Sequence, residues 1–149
     1  MTEFISSITR TTLQFMTDSF PTMVKILLIG LGGFIGAILR YGISGLVQNM
    51  SRSISFPYGT LAVNVLGCLI IGALSQMVET RGVLNVQTRL FIFVGVLGAL
   101  TTFSTFSNET INLVREGQIF YALANIGLQV ICCLSAVLLG RWLTYVIWR

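Results

Sequence analysis

The nine residues Gly98-Ala99-Leu100-Thr101-Thr102-Phe103-Ser104-Thr105-Phe106 put unusual chemistry inside an apolar stretch. Hydroxyls from Thr101, Thr102, Ser104 and Thr105 are interleaved with the rings of Phe103 and Phe106. In lipid, small and hydroxylated residues at this density signal close backbone contact or an interruption of the helix. An interruption between Gly98 and Thr101 would strip carbonyl oxygens of their helical partners and leave them able to bind a hard cation. Phe103 and Phe106, three apart, share a helix face. Their ring edges carry partial positive charge and can solvate an anion without gripping it. Ser104 and Thr105 add hydroxyl donors. The plainer reading of the same residues is an aromatic packing pair on a helix–helix seam.

Other polar residues sit where hydrocarbon-loving side chains are expected. Asn64 is the one strongly polar residue in the segment 60–78 before Gln76. Asn125, Gln129 and Cys133, at four-residue intervals, form one stripe on a helix. An amide in hydrocarbon needs a partner, so these either glue helices together or line a polar track. Arg40 interrupts the first apolar segment and Glu109 ends the third. The guanidinium either reaches back toward head groups or draws anions into a vestibule. Glu109 is a stop signal at the interface or a group at a pore mouth. The glycines of Gly30-Leu31-Gly32-Gly33 lack the spacing, the preceding strand and the acidic partner of a dinucleotide loop, and fit close helix packing instead.

The elements that must position these groups are membrane helices. The chain of 149 residues is 54% hydrophobic and only 9% charged, with mean hydropathy +0.87, against about 25% charged in soluble domains. Four segments, 24–47, 60–78, 90–108 and 118–140, approach the ~20 residues a spanning helix needs. The expectation is an all-α, integral membrane four-helix bundle with a broken third helix. Residues 23–149 form one channel-sized domain. Residues 1–22 are an extension, read either as an amphipathic surface helix or as sequence upstream of a start at Met23. Pro21 and Pro57 precede spans one and two, and Trp142, Tyr145 and Trp148 suit an interfacial belt. There is no histidine, and Cys68, Cys132 and Cys133 read as small packing residues rather than a zinc or disulfide framework. No basic run suggests nucleic acid. With four spans, Arg10, Lys25, Arg81, Arg89, Arg141 and Arg149 share one side against Arg40, Arg52 and Arg115 on the other, a bias toward cytoplasmic termini.

Taken in order, three motifs resemble the Fluc fluoride-channel family, also called CrcB. They are Gly32 through Tyr41, Gly59 through Gly67, and Gly95 through Ser107. The resemblance implies an antiparallel, dual-topology homodimer in the cell membrane, with two fluoride pores each built from both subunits. It implies that Asn64 hydrogen-bonds fluoride, that Phe103 and Phe106 form an aromatic box, and that Ser104 and Thr105 offer hydroxyls along the path. Asn125 and Gln129 stand where the family's last helix often carries hydroxyls. Arg40 and Glu109 resemble vestibule residues, and carbonyls of Gly98 and Thr101 would hold a structural sodium ion on the dimer axis. The physics agrees. A pore for a small, strongly hydrated anion must replace water with neutral donors while still releasing the ion.

Two other functions compete. A small dimeric four-helix multidrug or cation exporter needs a membrane-buried carboxylate for proton exchange, and the spans hold one only at the end of the third. A non-transporting scaffold accounts for each polar residue singly, as helix glue. An intramembrane enzyme has no His and no nucleophile–base pair to work with.

Overall fold

The computed structural model describes residues 2–148, with side chains described from Pro21 onward. The amphipathic reading of the N-terminal extension rests on side chains of residues 1–20 and so lies outside the described ones. Helix α1 covers Thr2–Ser51, α2 Tyr58–Arg81 and α3 Val86–Arg89. A π-helical stretch, Leu90–Leu97, follows directly and leads into α4, Gly98–Leu100. Then come α5, Phe103–Arg115, and α6, Ile119–Ile147. Every described element is helical.

Four helical segments are long and apolar enough to cross a membrane: Pro21–Ser51, Tyr58–Arg81, Val86–Arg115 and Ile119–Ile147. Each outruns the apolar segment seen in the sequence by one to several turns, because a helix continues into the interface as long as its backbone bonds stay satisfied. The ends are chemically marked. Helix α2 starts just after Pro57, whose missing N–H is no loss there. It stops at Gly82, where φ of +60° suits glycine and the N–H returns to Val78 O at 3.0 Å. Gly117, with φ of +76°, ends α5 in the same way.

The link between α1 and α2 is pinned by one side chain. Gln48 Nε2 donates to Ser53 O at 2.7 Å and Phe56 O at 3.1 Å, while its Oε1 accepts from Gly59 N at 3.1 Å. That last bond satisfies an N–H in the first turn of α2, which has no intrahelical partner.

The most extensive packing is α2 against α6. The two run parallel in constant register. Asn64 meets Gln129, and two turns further on Gly72 meets the backbone of Val137, while Gly140 meets that of Leu69 and Ala73. A Cβ at Gly72 or Gly140 would collide with facing main chain, so glycine here sets the close approach of the helices. Gly32 and Gly36 of α1 do the same against the π-helical stretch. Beyond the seam, Val63, Leu97 and Leu100 form a small core with Ile43, Ile70, Ile71, Leu74 and Ile92 around it. At the end of α2 and α6, Arg141 grips Glu79 with two bonds of 2.7 and 2.9 Å.

Candidate functional site

Between α4 and α5 the chain leaves the helix for two residues. Thr101 (φ −87°, ψ 155°) and Thr102 (φ −153°, ψ 120°) are extended. In a continuous helix the Thr102 N–H would bond Gly98 O, and the Thr105 N–H would bond Thr101 O. Here the first goes to Asn64 Oδ1 at 2.8 Å and the second to Thr102 Oγ1 at 3.2 Å. Asn64 Nδ2 also donates to Thr102 O at 3.2 Å, so one amide on α2 holds both polar groups of this peptide-like edge. Thr101 is tied back by its N–H and hydroxyl, both donating to Leu97 O at 3.1 and 3.0 Å. Gly67 lies opposite, and a Cβ there would strike the Thr101 methyl. The threonine pair extends because each hydroxyl offers the backbone a local alternative to the helical ladder.

This turn forms one wall of a cavity of about 370 Å³. Asn64, Gly98, Thr101, Phe103, Phe106 and Gln129 all line it, and no charged residue among the described ones does. The Phe103 and Phe106 rings stand 5.4 Å apart at 62°, edge toward face. Phe103 is 80% exposed in the single chain, so the cavity is open on that side.

Below the cavity runs a buried polar seam. Both Asn64 amide hydrogens are engaged, the second by Gln129 Oε1 at 3.1 Å. Gln129 Nε2 is buried with no partner. One turn earlier on α6, Asn125 is 0% exposed. Its Nδ2 donates to Thr110 Oγ1 at 2.9 Å, and its Oδ1 is buried without a partner. Thr110 in turn donates to Phe106 O at 2.8 Å. One turn before Asn64, Thr60 donates to Glu109 Oε1 at 2.7 Å, leaving Glu109 Oε2 buried and unpaired. Thr60 and Glu109 also line a second, more polar cavity of about 270 Å³ together with Gln48, Asn112 and Glu116. The orphaned atoms of Glu109, Asn125 and Gln129 thus lie along the seam between two cavities. Buried polar atoms are ordinarily paired, and a string of unpaired ones is where water or a small ion finds its contacts.

The candidates from the sequence are therefore not all in one place. Asn64, Phe103, Phe106, Gln129, Gly98 and Thr101 gather on the first cavity. Ser104 and Thr105 are exposed and turn toward Thr102 Oγ1, 3.2 and 3.0 Å away, as part of the α5 cap. Asn125 lies in the seam and Glu109 at the second cavity. Arg40 is half-buried on α1, lines neither cavity, and has no ion pair among the described residues. Thr60, Thr110 and Thr102 were not singled out as site residues. Thr60 could have been, since it precedes Asn64 by one turn of an otherwise apolar helix. Thr110 has no such signal, because its role comes from Asn125, fifteen residues away.

A family model described as "CrcB-like protein, Camphor Resistance (CrcB)" matches residues 27–141. Among curated relatives, a "Fluoride-specific ion channel FluC" of Methanocaldococcus jannaschii is 49% identical over 125 residues, covering 84% of this chain and 98% of the relative. Proteins with the same description from Elusimicrobium minutum and Ruminiclostridium cellulolyticum are 48% identical over 113 residues and 43% over 121. These two matches cover 76% and 81% of this chain, and 87% and 92% of the relatives. The match takes in all four spans, the threonine turn and the seam: this chain belongs to the CrcB family.

Proposed function

We propose that this protein is a passive, fluoride-selective channel of the cell membrane, and that it performs no covalent chemistry. The observation that carries the reading is the unpaired, buried Nε2 of Gln129, a residue that lines with Phe103 and Phe106 a cavity whose described lining carries no charged side chain. Neutral N–H donors and ring edges replace hydration for a small anion, and the absence of a lysine or arginine lets it leave again. The path runs along the seam from the Glu109 cavity past Asn125 and Gln129 to the rings. Arg40 acts at a distance, through its field at a vestibule. The names of the curated relatives point to the same ion.

The test is efflux from liposomes carrying the purified protein, read with a fluoride electrode. With a potassium shunt present, fluoride leaves rapidly and chloride stays. Absence of fluoride flux from folded protein refutes the reading. Phe106→Ile keeps the apolar bulk and removes the ring edge. It impairs fluoride efflux while size-exclusion behaviour is unchanged; unaltered flux would free the rings of any role in conduction.

The assembly in this proposal is an antiparallel homodimer of dual topology, with the third span interrupted at the threonine turn and two pores per dimer. The exposed side of Phe103 is what a second chain covers. A two-fold axis in the membrane plane brings two such turns together, and isologous contact repeats every group. The Gly98 and Thr101 carbonyls, deprived of their helical donors, fit a hard monovalent cation, and four of them from two chains suit sodium. Sodium bound there would neutralise carbonyl dipoles buried at the dimer centre. A single cysteine placed at the C-terminus of a cysteine-free variant reacts with impermeant maleimide from both faces of the membrane. Labelling from one face alone would reject dual topology.

A further inference from the structure

The register that pairs Asn64 with Gln129 and Gly72 with Val137 places Cys68 against Cys133 between them, one turn from each. The register sets the two side chains opposite each other across the α2–α6 seam. Both line the cavity that holds Phe103 and Phe106. The Cys133 thiol also points to Gln129 Oε1 at 3.8 Å, the oxygen that Asn64 already engages. The third cysteine, Cys132, does not line the cavity.

The geometry points to a dithiol site for a soft, divalent, two-coordinate metal ion, formed by Cys68 and Cys133 inside the cavity. Soft thiol ligands select soft metals. Zinc prefers four ligands, and no group of three or more His, Cys, Asp or Glu residues that could hold a metal exists among the described residues. A linear bis-thiolate asks for only two. Charge argues for a divalent ion. Binding forms two metal–sulfur bonds and breaks two S–H bonds, with both protons released to water. Two thiolates and one dication leave a neutral product, the form that a low-dielectric cavity tolerates. A monovalent ion would leave a net negative charge there. The site rests on the cavity described above, and its occupation narrows the space beside the two rings.

The probe is mercury(II) added to purified protein in detergent, read by native mass spectrometry. The Cys132→Ser variant gains the mass of one mercury less two hydrogens, as the unaltered protein does at this site. Cys68→Ser and Cys133→Ser each lose that species. Retention of the two-hydrogen-loss adduct in either of these variants, or its absence from Cys132→Ser, overturns the proposal. In case a serine variant fails to fold, the Cys132→Ser protein gives an independent reading: mercury protects both remaining thiols together from alkylation. Protection of one alone is equally fatal. Liposomes separate this inference from the functional one. Mercury brings fluoride efflux of the Cys132→Ser protein to the level of protein-free vesicles. Binding without loss of flux leaves the metal site standing and removes the cavity from the path.

Discussion

Asn64→Leu is expected to abolish fluoride efflux and to destabilise the bundle markedly. The amide makes bonds of 2.8 and 3.2 Å to the N–H and C=O of Thr102 and a third of 3.1 Å to Gln129 Oε1. Leucine fills a similar volume but leaves Gln129 Oε1 without its Asn64 donor in the interior and the two Thr102 groups unpaired at the cavity wall. An unsatisfied buried group costs about 1–3 kcal/mol, and with the half-buried Thr102 pair costing less each, the three together lower stability by roughly 2 kcal/mol or more. The extended conformation at Thr101–Thr102 has no comparable external hold, since the Thr101 N–H and hydroxyl bond only within their own segment. Thermal unfolding in detergent reads the first effect and liposome efflux the second. Asn64→Asp tests the amide hydrogens alone. An ionised aspartate still accepts the Thr102 N–H, but it has no hydrogen for Thr102 O or Gln129 Oε1 and sets a buried negative charge against both oxygens. Stability stays low and flux is lost, which ties both effects to the amide hydrogens rather than to the acceptor oxygen. Near-normal efflux in either variant would mean that the turn is not held by Asn64 in the conducting state.

Much of this fold is legible in the sequence because a bilayer imposes so strong a constraint. Four apolar segments with few charges between them leave helices as the one economical way to satisfy the backbone. In the third span the sequence favours an interruption from Gly98 to Thr101, whereas the residues with extended backbone are Thr101 and Thr102, a shift toward the C-terminus. The shift has a cause. Gly98 keeps helical φ and ψ of −62° and −34°, whereas the Thr102 N–H finds a better acceptor in Asn64. Such a choice depends on a residue thirty-eight positions away and has no local signature.

Pairings across helices were the least readable. The Asn125–Gln129 stripe announces a polar face on α6, but not that Thr110 would engage one end of the first amide and Asn64 one end of the second. Ser104 and Thr105 show the opposite limitation. Their hydroxyls look equivalent to those of the turn, yet capping Thr102 draws both to the start of α5. The cysteines at 68 and 133 read as packing residues until the glycine contacts fix the α2–α6 register. Only then does it follow that one thiol faces the other.

Gln129→Met is the sharper test of conduction, because it leaves the turn almost untouched. The side chain keeps its length and loses its amide. Asn64 Nδ2 forfeits one acceptor but keeps Thr102 O, and Asn64 Oδ1 keeps the Thr102 N–H. The Gln129 Nε2 donor had no protein partner to lose, so removing it strands nothing, but the loss of Oε1 leaves one buried Asn64 N–H without its acceptor. The stability change is therefore about 1–3 kcal/mol, the cost of one unsatisfied buried group. Flux responds differently. A hydrogen bond to a charged group contributes about 1.5–3 kcal/mol, and if it forms only while the anion passes, its loss slows efflux about ten- to a hundredfold. A channel slowed about ten- to a hundredfold, with a fall in melting temperature smaller than that of Asn64→Leu, is the expected result. The contrast with Asn64→Leu then assigns two tasks to neighbouring amides. Asn64 spends one hydrogen on the turn and the other on Gln129, and Gln129 keeps its own Nε2 hydrogens for the ion. If Gln129→Met conducts as well as the unaltered protein, the orphaned donor serves a bound water instead, and the rings and the threonine turn must supply the anion's contacts without it.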